Sequence, residues 1–403
     1  VAVPLDSFHV DISGSLKSII ELQLEQASDR ELLLLETASV VGSVCSARAI
    51  ANMQTLELDE GVSTCDQLAK RGQCLEAARP VEWPDNSVSQ GYEFIHDVYR
   101  RTLYDTLSPA RLQRLHVRAG DVLEAGYSDQ PNMVEAELAL HFEIGRDPER
   151  AIAHLTLAAE GAQQRAASGE ATAYLKRALT QVATLPPRAE NEQRELDLRL
   201  RLMRTLMTTS GYSAAEHSHN LNRALELCEN LRDSTSEIRI LALQSVAAIL
   251  GGDIGAAEPI LARARKVGEQ FVDPALLSHE PAVSGITALA KGQLNTAERQ
   301  FKYSIKLLSD AELRAPAGLF GHDPAAASLG YSTISAWLLG YPDKARQRGK
   351  LAIARAESIG TPQVLTNALD LALTTEHLCR DLEAAQLRAD TLDACIEKYG
   401  VEY

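Results

Sequence analysis

The chain lacks the G-x-x-x-x-G-K-[ST] loop whose backbone N–H groups and lysine cradle nucleotide phosphates. ATP hydrolysis by this chain alone is therefore not expected. It also lacks G-x-S-x-G, H-E-x-x-H and a glycine-rich dinucleotide loop, which removes the sequence signatures of several hydrolase, zinc-protease and dehydrogenase classes. Aromatic residues are only 5% of the 403, too few to suggest a β-sandwich, while the abundant alanine suits helices packed closely together. Positive charge is in deficit. With 40 Lys and Arg against 55 Asp and Glu, the formal net charge is −15, which opposes binding to nucleic acid or an anionic membrane. The six cysteines show neither C-x-x-C nor zinc-ligand spacing, so buried free thiols in a reducing compartment are expected. No apolar run approaches the roughly 18 residues of a membrane span, and no signal peptide is recognisable. A cytoplasmic location is the expectation.

The hydrophobic pattern divides near residue 126. Before it, helices are expected over Ser15–Leu24, Glu31–Val41 with Asp29 as cap, Ala47–Met53 and Leu58–Arg71. Cys74–Trp83 and Tyr92–His96 read as strands joined by the turn residues Pro84–Gly91. Three helices and a hairpin predict a winged helix. In the second strand Tyr92, Phe94 and His96 share one face. Two further helices follow, the second opening at Ser108-Pro109 as N-cap and first helical residue. Arg100, Arg101, Arg111, Arg114, His116 and Arg118 form the one noticeable basic cluster, which reads either as a patch or as an ordinary solvated helix face.

From about Met133 onward a small-x-x-x-large-x-x-small device recurs, in which a small residue admits the neighbouring helix and a large one fills the groove beside it. It is clear at Ala151/Leu155/Ala158, Ala171/Leu175/Ala178, Ala257/Leu261/Ala264 and Ala297/Phe301/Ser304. Weaker forms occur at His217/Leu221/Ala224, Ala345/Gly349/Ala352 and Ala385/Ala389/Leu392. Gly252, Gly292 and Gly340 each precede such a device by five residues, where a turn inside a helix pair requires a left-handed backbone. The expected fold is mainly α: residues 1–27 as a leading helical tail, 28–126 as a winged-helix domain, and 127–403 as an α-solenoid of helix pairs similar to tetratricopeptide repeats.

Phe94, His96, Arg100, Arg101, Tyr104, Arg111, Leu115 and His116 together resemble the join in bacterial STAND-type signalling ATPases, where a winged helix ends in an F-x-H strand and a basic R-x-x-x-LH helix. Glu31–Gly42, Gly321-His-Asp-Pro324 and Trp337–Pro342 are similar to other parts of such proteins, which are found fused to class III adenylyl cyclases or to DNA-binding regulators. The resemblance implies a regulatory segment, with the tail belonging to an upstream nucleotide-binding domain that contacts the winged helix in cis. It further implies that His96, with Arg100 beside it, senses ADP or ATP in the full-length protein. The alternative for His96 is a strand histidine satisfied by local backbone. Val1 in place of methionine, and a stop in Gly400–Tyr403 soon after a helix, fit an excised piece of a longer protein.

His322, Asp323, Tyr331 and Trp337 are the candidates for binding a protein or small-molecule signal on the repeats. Asp323-Pro324 has a sufficient local explanation as N-cap and first helical residue. Tyr331 and Trp337, on the first helix of a pair, are expected either at the inner groove or, for Trp337, in the core. His217-Ser-His219 is expected to be a surface pair without metal. Two other functions compete with the sensor: a stand-alone interaction scaffold, and a transcriptional regulator whose winged helix reads DNA. The second is disfavoured by Asp85, Asn86 and serines in the wing.

Overall fold

The computed structural model describes residues 27–72, 74–165, 167–209, 215–269, 277–307 and 323–399, with Ile20 and Leu24 from the preceding stretch. The rest of the helix expected over Ser15–Leu24 lies outside the described residues. The chain divides into two compact units, residues 1–158 and 159–403. The described structure is mainly helical, with a small β-containing part near the N-terminus and antiparallel helix pairs after it.

In the first unit, α1 (Asp29–Val41) is followed by β1 (Val44–Ser46), α2 (Ala47–Gln54), α3 (Leu58–Lys70), β2 (Leu75–Glu82), β3 (Val88–Phe94), α4 (Asp97–Thr106), α5 (Pro109–Gly126), α6 (Glu135–Ile144) and the start of α7 (Pro148–Gln164). Ser28, not Asp29, caps α1. Its hydroxyl accepts from Glu31 N–H while Glu31 Oε2 accepts from Ser28 N–H at 2.9 Å, a reciprocal box that leaves Asp29 inside the first turn. Of the leucines 32 to 35, Leu34 and Leu35 are buried and Leu33 is exposed.

The three strands form an antiparallel sheet in the order β1-β3-β2. β1 was not expected, because three residues are too few to set a period. Tyr92, wholly buried, lies opposite both Cys45 and Ala77 and donates its hydroxyl to Asp66 at 2.8 Å. Leu34, Leu35, Ile50, Leu68, Leu75, Phe94 and Leu103 pack with it as the core. A bulge between Ala78 and Val81 accommodates Pro80. It also brings Arg79 O so near Gly91 that any Cβ there would sit on top of it.

The second unit contains the end of α7, then α8 (Ser168–Val182), α9 (Ala189–Thr209), α10 (Ala215–Leu231), α11 (Ser234–Leu250), α12 (Ile254–Gly268), α13 (His279–Ala290), α14 (Leu294–Leu307), α15 (Pro324–Leu338), α16 (Pro342–Ile359), α17 (Pro362–Leu378) and α18 (Leu382–Tyr399). The small-large-small positions are the contact faces, and all are buried except the half-buried Ala389. His217 is one of these positions, so it is wholly buried while His219 is exposed, which overturns the expected surface pair. Two residues apart on a helix point in nearly opposite directions.

Gly252, Gly292 and Gly340 have φ of 83°, 72° and 89°, as the turns require. Arg146, Arg232 and Arg380 adopt the same conformation at φ of 55°, 57° and 58°. At all six places the next residue's N–H bonds the carbonyl five residues back at 2.8–3.0 Å, the Schellman closure of a helix. In four of them that next residue is an aspartate, Asp147, Asp233, Asp253 or Asp381, whose Oδ1 accepts the N–H three residues on and starts the following helix.

Open space surrounds the position that a Cβ would take at Gly292, so only the backbone conformation resists a side chain there. Gly292→Ala is expected to destabilise the chain by about 1 kcal/mol, while Arg380→Gly is expected to leave stability unchanged or slightly raised. Denaturant titrations of both variants check this. Equal effects at the two positions would contradict it.

Candidate functional site

The F-x-H segment does not end in a strand histidine. Leu75, the first residue of β2, pairs with Phe94, and the last bond across is from Ile95 N–H to Cys74 O at 3.0 Å, one residue short of His96. His96 instead becomes the N-cap residue of α4, at φ −142° and ψ 138°, with its side chain exposed and making no capping bond. Arg100 lies one turn on and is buried, with Nε donating to Asp97 Oδ1 at 2.7 Å. Asp97 also accepts from Arg101 at 2.6 Å. Burial works against its ionisation, but the two guanidiniums prevail and hold its carboxyl below the ordinary range. Thus the structure places His96 and Arg100 on the same short helix start but only the imidazole faces solvent.

The basic cluster is mostly consumed internally. Arg111 pairs with Glu36 at 3.2 Å, Arg118 donates to Met53 O at 3.3 Å, and His116 is buried. Tyr104 Oη is 2.9 Å from His116 Nε2, and His116 Nδ1 is 2.9 Å from His141 Nδ1. Two facing nitrogens at that distance need one N–H and one lone pair. Both contacts are filled when Tyr104 donates to His116 Nε2 and His116 Nδ1–H donates to His141 Nδ1. His141 Nε2–H then points toward Glu137 Oε1, 3.9 Å away. Burial lowers His116 to about 3, with His141 adding to the shift, and burial lowers His141 to about 4. The LH of the R-x-x-x-LH helix is therefore a packing and hydrogen-bonding element between α4, α5 and α6.

The helix α3 and hairpin offer little to nucleic acid. α3 carries Asp59, Glu60 and Asp66 against Lys70. Arg48 is held by Asp85 Oδ2 at 2.8 Å and stacks over Trp83 at 4.5 Å.

On the repeats, Asp323 caps α15 as expected, with Oδ1 accepting Ala326 N–H at 2.6 Å. It does more than cap. Its Oδ2 accepts from Arg355 of α16 at 2.8 Å, and both side chains are buried from most solvent. Sequence reasoning missed this because the partner is 32 residues away and one arginine among many. Tyr331 is half-buried against Ile286, Ala297 and Phe301, and its hydroxyl bonds Asn367 of α17. Trp337 is half-buried, its carbonyl accepting Gly340 N–H at 2.9 Å. His322 and Phe320 lie outside the described residues. The structure therefore brings Asp323 to Arg355 and Tyr331 to Asn367 as separate pairs. Among the described residues no cluster of His, Cys, Asp or Glu has the arrangement for a metal ion, and no helix is long and apolar enough to cross a membrane.

No protein family and no curated protein matches the chain in sequence. In fold it is similar to a Signal Transduction ATPase with Numerous Domains with a tetratricopeptide repeat sensor, from Pyrococcus horikoshii. Identity is 11% and the TM-score 0.45, over 94% of this chain and 52% of that one. It is also similar to NprR in complex with its cognate peptide NprX, at 12% identity and TM-score 0.48 over 85% and 89% of the two chains. A Rap protein complexed with competence and sporulation factor matches at 10% identity and TM-score 0.44 over 95% and 99%. The likeness is one of fold. The chain spans about half the length of the Pyrococcus protein.

The buried histidines make stability depend on pH in a definite direction. With folded values of about 3 and about 4 against an ordinary 6.5, the unfolded chain binds protons that the folded chain does not. Stability is therefore complete above pH 6.5 and is lost as the pH falls through 4 and then 3. Each imidazole contributes up to roughly 1.4 kcal/mol per pH unit in that window. Denaturant midpoints at neutral and mildly acid pH should show this slope, and His116→Gln should reduce it. Parallel pH profiles for parent and variant would contradict the account.

Proposed function

We propose that the chain is the regulatory and sensor segment of a multidomain signalling ATPase. In this reading the first unit contains a winged helix that contacts a nucleotide-binding domain, and the helix pairs form a solenoid, similar to tetratricopeptide repeats, that takes a protein or small-molecule signal. One observation carries it: a helix-hairpin module continues in the same chain into helix pairs and leaves His96 exposed, with no capping bond, where the hairpin ends. An imidazole so placed can donate to a phosphate oxygen brought to it by another domain.

The segment is itself no ATPase in this reading, because its sequence has no phosphate-cradling loop. The ADP or ATP belongs to the full-length protein. The scaffold reading differs only in lacking that coupling, and α3, with Asp59, Glu60 and Asp66, argues against the DNA-reading one.

Two measurements test the proposal. The isolated chain should not turn over ATP, and turnover by a preparation cleared of contaminating ATPases would overturn this part. In the full-length protein, His96→Ala should weaken ADP retention and raise basal output, since a resting state held by the nucleotide would lose a contact. Unchanged ADP affinity and unchanged basal output would assign His96 no role in sensing.

A further inference from the structure

The partly buried carboxylates of the last helix pairs mostly have cations. Glu298 takes Arg348 in two bonds of 2.6 and 2.8 Å, Glu376 takes Arg346 at 3.1 Å, and Asp323 takes Arg355 at 2.8 Å. Asp370 differs. It is half-buried on α17, and among the described residues no lysine, arginine or histidine pairs with it. Burial accordingly raises its carboxyl above the ordinary aspartate range, and no cation opposes the shift.

Its position is defined by what the rest of α17 does. Val364, Ala368 and Ala372 pack into the cluster shared with α16 and α18. Leu371 fills the space that Gly330 of α15 leaves, and Thr375 Oγ1 donates to Thr333 Oγ1 of α15 at 2.6 Å. Gln363, Asn367, Asp370 and Thr374 recur at alternating spacings of four and three, the repeat of a single helix face, and all are half-buried. The side-chain amide oxygen of Gln363, Oε1, is buried without a hydrogen-bond partner. Tyr331 of α15 meets this face through Asn367, and the charge of Asp370 reaches its hydroxyl. Beyond Tyr331, at helical spacing on α15, come Ile334, half-buried, and Leu338, half exposed.

A polar strip with an unneutralised carboxylate thus runs beside an apolar strip. We propose that the face shared by α15 and α17 is a binding site for a peptide segment bearing a basic side chain, with Asp370 receiving the lysine ammonium or arginine guanidinium. Charge complementarity selects the cation. The apolar strip of Ile334 and Leu338 selects a peptide over a free polyamine, because a polyamine has no apolar group to place there. The proposal rests on the reading of the repeats as a sensor and names the chemistry that sensor takes.

The test pans a displayed library of random heptapeptides against the intact chain and measures the enriched peptides by fluorescence anisotropy against parent and Asp370→Asn. Enriched peptides should share a lysine or arginine. Asp370→Asn should weaken them at least about tenfold, the loss expected of a hydrogen bond to a charged group. Replacing the basic residue by alanine should cost the same, and the two changes together should cost no more than either alone. Asp370→Asn, which keeps the side chain's shape and removes an unpaired charge, should melt no lower than the parent. Neutral peptides binding parent and variant alike would overturn this site and leave the sensor reading standing. Enrichment of no peptide would count against both. A lower melting temperature for Asp370→Asn, or spermidine displacing the peptides at equal concentration, would overturn the assignment of Asp370 to a peptide.

Discussion

The backbone conformation at the ends of the helices is the constraint from which the helix-pair packing follows. A helix that closes with a left-handed residue turns its chain sharply, and the carbonyl five residues back is satisfied by the N–H just past the turn. Seven helices among those described end this way, α2 at Thr55 and the six whose turns lie between later helices. In four of them the aspartate after the turn accepts the first N–H groups of the next helix. Stopping one helix and starting another is thus the work of two adjacent residues. With so short a link the second helix has to return alongside the first, and an alanine five residues past the turn glycine, at Ala257, Ala297 and Ala345, is wholly buried at that close approach.

Once pairs are closed, ionic links join them to their neighbours. Arg263 of α12 reaches Glu237 of α11 and Glu229 of α10, and Arg223 of α10 holds Glu195 of α9 through two bonds of 3.0 Å. Arg348 and Glu298 link α16 to α14. Pairs of this kind contribute little net stability when the cost of desolvation is counted. Their geometry is specific, however, because a planar guanidinium meets a carboxylate in few orientations.

Much of this was legible in the sequence and some was not, for reasons that differ by residue. Glycine announces a left-handed turn because it alone adopts that conformation without steric cost. Arg146, Arg232 and Arg380 adopt it as well, but arginine carries no conformational signature, so those turns were invisible. The cap at Asp323 was legible because its proof is local, and its pairing with Arg355 was not, because distant partners leave no mark on spacing. His217 was misjudged by attending to the H-x-H pattern over the packing device to which the same residue belongs. The strand placed at His96 ran on because alternation continues past the point where the partner strand stops supplying hydrogen bonds.

Residues that hold the fold differ in their surroundings from those left for something else. His116 resembles a family motif, yet its ring is fully engaged with Tyr104 and His141 and is buried, so its identity is explained by packing. Arg100 is likewise accounted for by Asp97. His96 and Asp370 are not accounted for in this way: one is an exposed imidazole at a helix start with no capping bond, the other a half-buried carboxylate with no cation among the described residues. An unpaired, partly buried charge is unfavourable for folding, so Asp370 is a position that packing alone does not explain. Glu298, Glu376 and Asp323, the partly buried carboxylates around it, each have an arginine, and in the proposed site the bound peptide supplies the cation that Asp370 lacks.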